Sequence, residues 1–147
     1  MADDIGSTVS FSATAASTVD ATGFNALSPT KVGSVASISP RADVHTRVNR
    51  PADLETGRAV DFKGGVKQQE ITVVLHTEDF ADTGQDAIRT AAANRTVGAL
   101  LITNANGDEE WYNGLVSDYT KMEKSESSFE GCSFVFLPHT ASVVIEA

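Results

Sequence analysis

Side chains able to catalyse a reaction or hold a metal are few in this chain, and they are scattered. The three histidines, His45, His76 and His139, stand far apart. A zinc site takes its ligands from close pairs, since two donors in one tight loop can reach one ion. No Cys-x-x-Cys or His-x-x-x-His pair is present. His76, Glu78 and Asp79 form the densest group of ligand types, with Asp82 and Asp86 behind them. Their spacing is not that of a calcium loop. Acids ahead of a helix are explained by the positive end of its dipole. Cys132 stands on a stretch expected to be a buried strand, a poor place for a thiolate nucleophile. No glycine-rich phosphate loop and no Gly-x-Ser-x-Gly turn occurs. Asn94-Arg95-Thr96 matches a glycosylation acceptor, but no secretory signal accompanies it. Aromatic residues do not interleave with basic ones, so a stacking platform for single strands is not indicated either. These residues predict no catalytic centre, no metal site and no cofactor, and point to a chain that makes surfaces.

The elements that carry such surfaces follow from periodicity. Lys67–His76 alternates, with Ile71, Val73 and Leu75 on one side and Thr72, Val74 and His76 on the other, which is a strand. Thr83-Gly84-Gln85-Asp86 resembles a capping box that opens a helix. Ile88, Ala91 and Ala92 give this helix an apolar stripe, and Asn94 is its expected left-handed stop. Val97–Thr103 and Glu109–Met122 are strands joined by the hairpin turn Asn106-Gly107. In the second strand Trp111, Leu115 and Tyr119 share one face and Tyr112, Val116 and Met122 the other, with a bulge expected at Asn113-Gly114. Thr8–Ala13 and Val32–Ile38 read as early strands. Between them Asp20 or Thr22 caps a single helical turn, which Ser28-Pro29 ends. Phe129–Leu137 sets Phe129, Val135 and Leu137 against Cys132, Phe134 and Phe136. With two apolar faces it should be central and covered on both sides. Ser142–Glu146 is a short last strand. The sum is a mainly β chain: a β-sandwich or barrel of six to eight strands with one flanking α-helix.

One segment breaks the pattern. Arg41–Gly65 has no sustained periodicity, a proline at 51, glycines at 57, 64 and 65, and nine charges. Long irregular loops inside compact domains are uncommon and usually functional or disordered. It reads as an interaction loop, with Val44 and Val48 as local anchors. The alternatives are a flexible excursion or a long hairpin that orders only against a partner.

The 147 residues suit one domain, 1–147, with 1–6 loose. The one cysteine excludes an internal disulfide and suits a reducing compartment. Met1-Ala2-Asp3-Asp4 is acidic where a signal peptide is basic, and no apolar run approaches the ~18 residues of a membrane span. The expectation is a soluble protein made in a cytoplasm. The net charge of −9 is unevenly placed. Residues 41–65 carry four acids and five bases, whereas 66–147 carry thirteen acids and five bases. Such a balance argues against ordinary nucleic-acid binding, which needs cations to replace phosphate counterions.

The order of these pieces resembles a known family. Gly23-Phe24-Asn25-Ala26-Leu27, then Lys31-Val32-Gly33-Ser34-Val35, resembles the opening of tail tube proteins of long, non-contractile-tailed bacteriophages. The similarity continues through Lys63-Gly64-Gly65, Ile71–His76, Gly84-Gln85-Asp86-Ala87-Ile88-Arg89, Asn106-Gly107-Asp108 and Gly114-Leu115-Val116, from about Thr8 to Ile145. The resemblance implies a β-sandwich with one flanking helix, here carrying Gln85, Ile88, Arg89 and Ala92. It also implies homo-hexameric rings that stack along a tape measure protein into a tube, capped by tail tip and tail terminator proteins. DNA would pass through an acidic channel without specific binding, in a virion tail assembled in the host cytoplasm. The long loop would bridge rings, which assigns Arg41, Arg47, Arg50, Asp53, Glu55, Arg58, Asp61 and Lys63 to an inter-ring contact. The local positive balance against the acidic body further suggests that Arg41, Arg47, Arg50 and Arg58 meet acidic groups on a neighbouring subunit. Competing readings are a secretion-system or contractile-tail tube protein, and a monomeric β-sandwich binding module. Core packing explains Trp111, Tyr112 and Tyr119 better than a sugar platform does.

Overall fold

The computed structural model describes residues 5–147 apart from position 129. Residues 1–4, part of the stretch read as loose, and Phe129, placed by its pattern on the last long strand, lie outside the described residues. In chain order the elements are β1 (Thr8–Ser12), α1 (Ala21–Asn25), β2 (Thr30–Val32), β3 (Val35–Ile38), β4 (Asp43–Arg50), β5 (Val60–Gln68), β6 (Ile71–Leu75), α2 (Thr83–Ala93), β7 (Gly98–Thr103), β8 (Glu109–Lys121), β9 (Cys132–Pro138) and β10 (Val143–Ile145). The chain is mainly β with α2 on its flank. Eight strands form one antiparallel sheet in the order β2-β1-β7-β8-β9-β6-β3, with β10 also on β8, while β4 and β5 pair only with each other.

The two ends of that order, β2 and β3, are separated in the chain only by Gly33-Ser34. Three Cα steps span at most about 11 Å. The sheet must therefore curl until its edges nearly meet, yet no strand pairing closes it into a barrel. The main core lies within the curl, where Val9, Phe11, Ile71, Val73, Leu75, Leu100, Ile102, Phe134 and Phe136 pack with Ile88 and Ala91 of α2. A second cluster covers the other side of β7 and β8: Phe24 of α1 stacks on Trp111 at 5.2 Å between centroids, beside Ala99 and Leu101. This explains the unbroken apolar run of β7, which is covered on both faces. α1 begins as expected, with the Asp20 carboxylate accepting from Gly23 N at 2.7 Å. In the β7–β8 turn Gly107 takes φ +96, open to glycine at no steric cost.

Several expectations are corrected. Among the described residues ten strands form, not six to eight, because Val32–Ile38 splits at Ser34 (φ 65) and the irregular segment supplies two strands. Lys67–His76 is likewise two strands, β5 ending at Gln68 and β6 beginning at Ile71. The bulge of β8 falls between Val116 and Asp118, not at Asn113-Gly114. It moves Tyr119 to the main core, away from the side that holds Trp111. Asn113 and Gly114 serve otherwise: the Asn113 amide accepts from Ala16 N at 3.1 Å and donates to Ala16 O at 3.3 Å. A Cβ on Gly114 would stand 2.1 Å from Leu137 O. β9 is central in pairing, between β8 and β6, but Val135 and Leu137 stay partly exposed, so only its Cys132–Phe134–Phe136 face is fully covered. The cap of α2 is Asp82, not Thr83, with its carboxylate accepting from Gly84 N at 2.9 Å. Asp86 pairs with Arg89 and does not reach back to the cap. Asn94 ends the helix in an extended conformation (φ −125), not a left-handed one.

Candidate interaction surface

The segment read as a loop is a two-stranded hairpin, β4–β5, that projects from the sheet edge formed by β3 and β6. Its residues pair in register from Asp43↔Gln68 to Arg50↔Val60, interrupted between His45 and Arg47, where Thr46 stands against Gly64-Gly65. That interruption is why the sequence shows no sustained alternation. Every residue of β4 is exposed, and all of β5 except Gln68. Val44 and Val48, expected as local anchors, are 48% and 53% exposed, and Val44 borders a cavity it shares with Leu137, Pro138 and His139.

Cross-strand pairs share a face, and the register sorts the hairpin into two. Val48 opposes Phe62 and Arg50 opposes Val60. Val44 joins them by alternation along β4. The Arg50 guanidinium lies over the Phe62 ring at 5.9 Å. On the other face Arg47 opposes Lys63, Asn49 opposes Asp61, and His45 opposes Val66. One face thus carries Val44, Val48, Val60 and Phe62, flanked by Arg50 and by Lys67 opposite Val44; the four apolar side chains stay about half exposed, with Val44 at the edge of the cavity it shares with Leu137, Pro138 and His139. The other is mostly polar and cationic.

The proposed contact residues fall into three groups. Arg47, Arg50, Arg58 and Lys63 stand on the hairpin with no carboxylate in ion-pair reach among the described residues. The acids shape the hairpin: Asp61 accepts from Asn49 Nδ2 at 2.8 Å, and Asp53 Oδ1 accepts from the amides of Glu55 and Thr56 at the tip. Gly57 (φ +70) completes that tip turn. Arg41 differs. It lies below the hairpin, its Nη2 3.1 Å from Glu110 Oε2 and its Nη1 donating to Ser39 O. This pair crosses from the hairpin base to β8, beside Tyr112. Burial pushes the Tyr112 hydroxyl pKa up, with Glu110 adding to the rise and Arg41 opposing it.

The flanking-helix residues build the support. Asp82 Oδ2 accepts from Gly33 N at 2.7 Å, so one carboxylate caps α2 and ties the β2–β3 crossover. Gln85 is wholly buried there. Its amide donates to Gly33 O and Thr77 O and accepts from Asp79 N. Together these bonds fill the gap between the two sheet edges with the start of α2. A Cβ on Gly84 would lie 2.1 Å from Lys31 O, so only glycine lets the helix approach this closely. Ile88 enters the core and Ala92 packs at its margin. Arg89 bonds to Asp86, Tyr119 Oη and Asp79 O, and lies 4.7 Å from the Phe80 ring. Burial pushes the Tyr119 hydroxyl pKa well above its usual range; it donates to Glu78 at 2.5 Å. Sequence reasoning missed the apolar hairpin face, the double role of Asp82 and the partner of Arg41. Only the first had a visible signal, the spacing of Val44, Val48, Val60 and Phe62.

No group of three metal-ligand side chains forms among the described residues. No described helix is long and apolar enough to cross a membrane. Cys132 is buried and free, and burial raises its thiol pKa.

No family profile and no curated protein sequence matches the chain. Its fold matches solved structures over nearly its whole length. One is a chain of the PVC sheath/tube terminator of an extracellular contractile injection system in its extended state (TM-score 0.67, 11% identity, 98% of this chain and 96% of that one). Another belongs to the baseplate of the anti-feeding prophage, a 6-fold symmetrised structure (TM-score 0.65, 10% identity, 99% and 95%). The class defined here is therefore a curled, mainly β fold shared with a sheath/tube terminator of a contractile injection system and a chain of the anti-feeding prophage baseplate.

Proposed function

We propose that this chain is a structural subunit of a phage-tail-type tube. Copies close into hexameric rings, rings stack along a tape measure protein, and tail tip and terminator proteins bound the stack in a virion tail. The observation that carries the reading is a well-packed body, of a fold found in tail-like particles, that extends an ordered hairpin it does not itself cover. Such a hairpin is marginal alone in water and gains its packing from a neighbour. In this reading the hairpin, with Arg47, Arg50, Glu55, Arg58 and Lys63 at its surface and Asp53 and Asp61 shaping it, bridges one subunit to the next. The net charge of −9 suits a channel that lets DNA pass without adhering.

A second reading is favoured by the similar structures, a sheath/tube terminator and a baseplate chain: a subunit that ends a contractile tube or joins it to its baseplate. Negative-stain electron microscopy of the purified protein over a concentration series separates the two. Hollow tubes of even width support the tube subunit. Single rings that do not lengthen support the terminating one. Monomers at every concentration, with tape measure and tail tip proteins added, overturn both.

A further inference from the structure

We infer that the hairpin seats on a second copy of this chain through its apolar face, that of Val44, Val48, Val60 and Phe62, and that its cations steer this contact without holding it. The inference rests on the reading of the chain as a self-assembling subunit and specifies which surface assembles. The four apolar side chains lie on one side of a two-stranded ladder, each exposed by between 37% and 53%. Four half-exposed apolar side chains on one face of an otherwise acidic molecule, flanked there by Arg50 and Lys67, mark a contact surface. Arg50 already lies along Phe62, so its stem can flank the ring while its head stays wet.

Charge names the occupant. Residues 43–68 carry four acids and five bases, net +1, while the remainder carries sixteen acids and six bases, net −10. Two bodies repel each other, and the hairpin is the part of one copy that the body of another attracts. Exposed cations such as Arg47 and Lys63 act over a screened range and set the rate of encounter. The seat itself comes from removing Val48 and Phe62 from water, where hot spots are made. Arg41 stays with its own subunit, held by Glu110.

The test uses the full chain in sedimentation velocity, with a photo-crosslinker placed at position 62 or, as a control, at position 47 on the opposite face. V48S/F62S alters exposed sites only, and a Tm like the wild type confirms its fold. It should weaken self-association by roughly thirtyfold or more. R47E/K63E should weaken it by less than about tenfold, mainly by slowing association, with the deficit vanishing at high salt. The crosslinker at 62 should join two copies more efficiently than at 47. Wild-type association by V48S/F62S, or no crosslink between copies from position 62, overturns the inference. If V48S/F62S still forms tubes, this inference fails and the tube reading stands. If the wild type forms only closed dimers crosslinked at 62, the tube reading fails and this inference stands. A capture of some other protein by the hairpin, with the chain itself monomeric, overturns it.

Discussion

The body and the hairpin use the same side chains in opposite ways. In β6 and β9, Val73 and Phe134 alternate with partly exposed residues and are fully enclosed, because the sheet curls over them and α2 fills the gap. In β4 and β5, Val48 and Phe62 oppose each other across the same kind of ladder and remain about half exposed. The difference lies in what stands opposite each ladder, not in the ladder. An alternating pattern specifies a strand with an apolar face; it does not specify whose surface covers that face.

The largest expected contrast lies between two phenylalanines. Phe134→Ala should cost about 3–5 kcal/mol in urea denaturation, as a buried ring leaves a cavity. Phe62→Ala should change the stability of the dissociated subunit by less than about 0.5 kcal/mol. Equal losses would mean that the hairpin is part of the core after all. Next comes the support of the hairpin. Gln85→Leu keeps the volume but strands Gly33 O, Thr77 O and Asp79 N, which should cost about 2–4 kcal/mol. A near-neutral result by calorimetry would show that the seam between the sheet edges carries little of the stability. Smaller again is the coupling of Arg41 to Glu110. With both side chains partly exposed, 28% and 22%, a double-mutant cycle should return about 0.5–1 kcal/mol within the isolated subunit. A coupling seen only in assembled protein would move Arg41 to the neighbour's side. The smallest effect concerns acid. The Gly23 amide and the Thr18 hydroxyl hold the Asp20 carboxyl below its ordinary pKa. A depressed folded pKa gives stability that is present above the unfolded value and is lost as pH falls through the folded one. The stability gap between wild type and Asp20→Ala should therefore narrow below about pH 4. A gap that stays constant into acid would remove that role.

Much of the fold was legible. β1, β8 and β10 lie within a residue or two of where alternation put them, β7 lies where its apolar run put it, and α1 starts at its cap, whereas Lys67–His76 holds both the end of β5 and the whole of β6. The misplacements share one cause: local signals were read without their distant partners. Thr83 looked like a cap because Asp82 showed no sign of its second bond to Gly33, 49 residues away. Gly114 looked like a bulge because close approach to Leu137 O leaves the same mark in sequence, a glycine inside a strand. The hairpin looked like a loop because Gly64-Gly65 against Thr46 broke its period. Of the candidate contact residues, the charged ones were visible and the apolar face was not, since five bases draw the eye from four spaced hydrophobics.

What the sequence alone determined is most strands of the body and its flanking helix, the acidic balance with one slightly basic segment, and the absence of closely paired zinc-ligand motifs. These depend on neighbours within a few residues, where periodicity and capping act. The tertiary structure alone decided which faces are covered, that Asp82 and Gln85 fill the gap between the sheet edges, that Arg41 pairs with Glu110, and that the hairpin's apolar side chains stay half exposed. Burial is a property of what packs opposite, and a linear sequence does not state what that is.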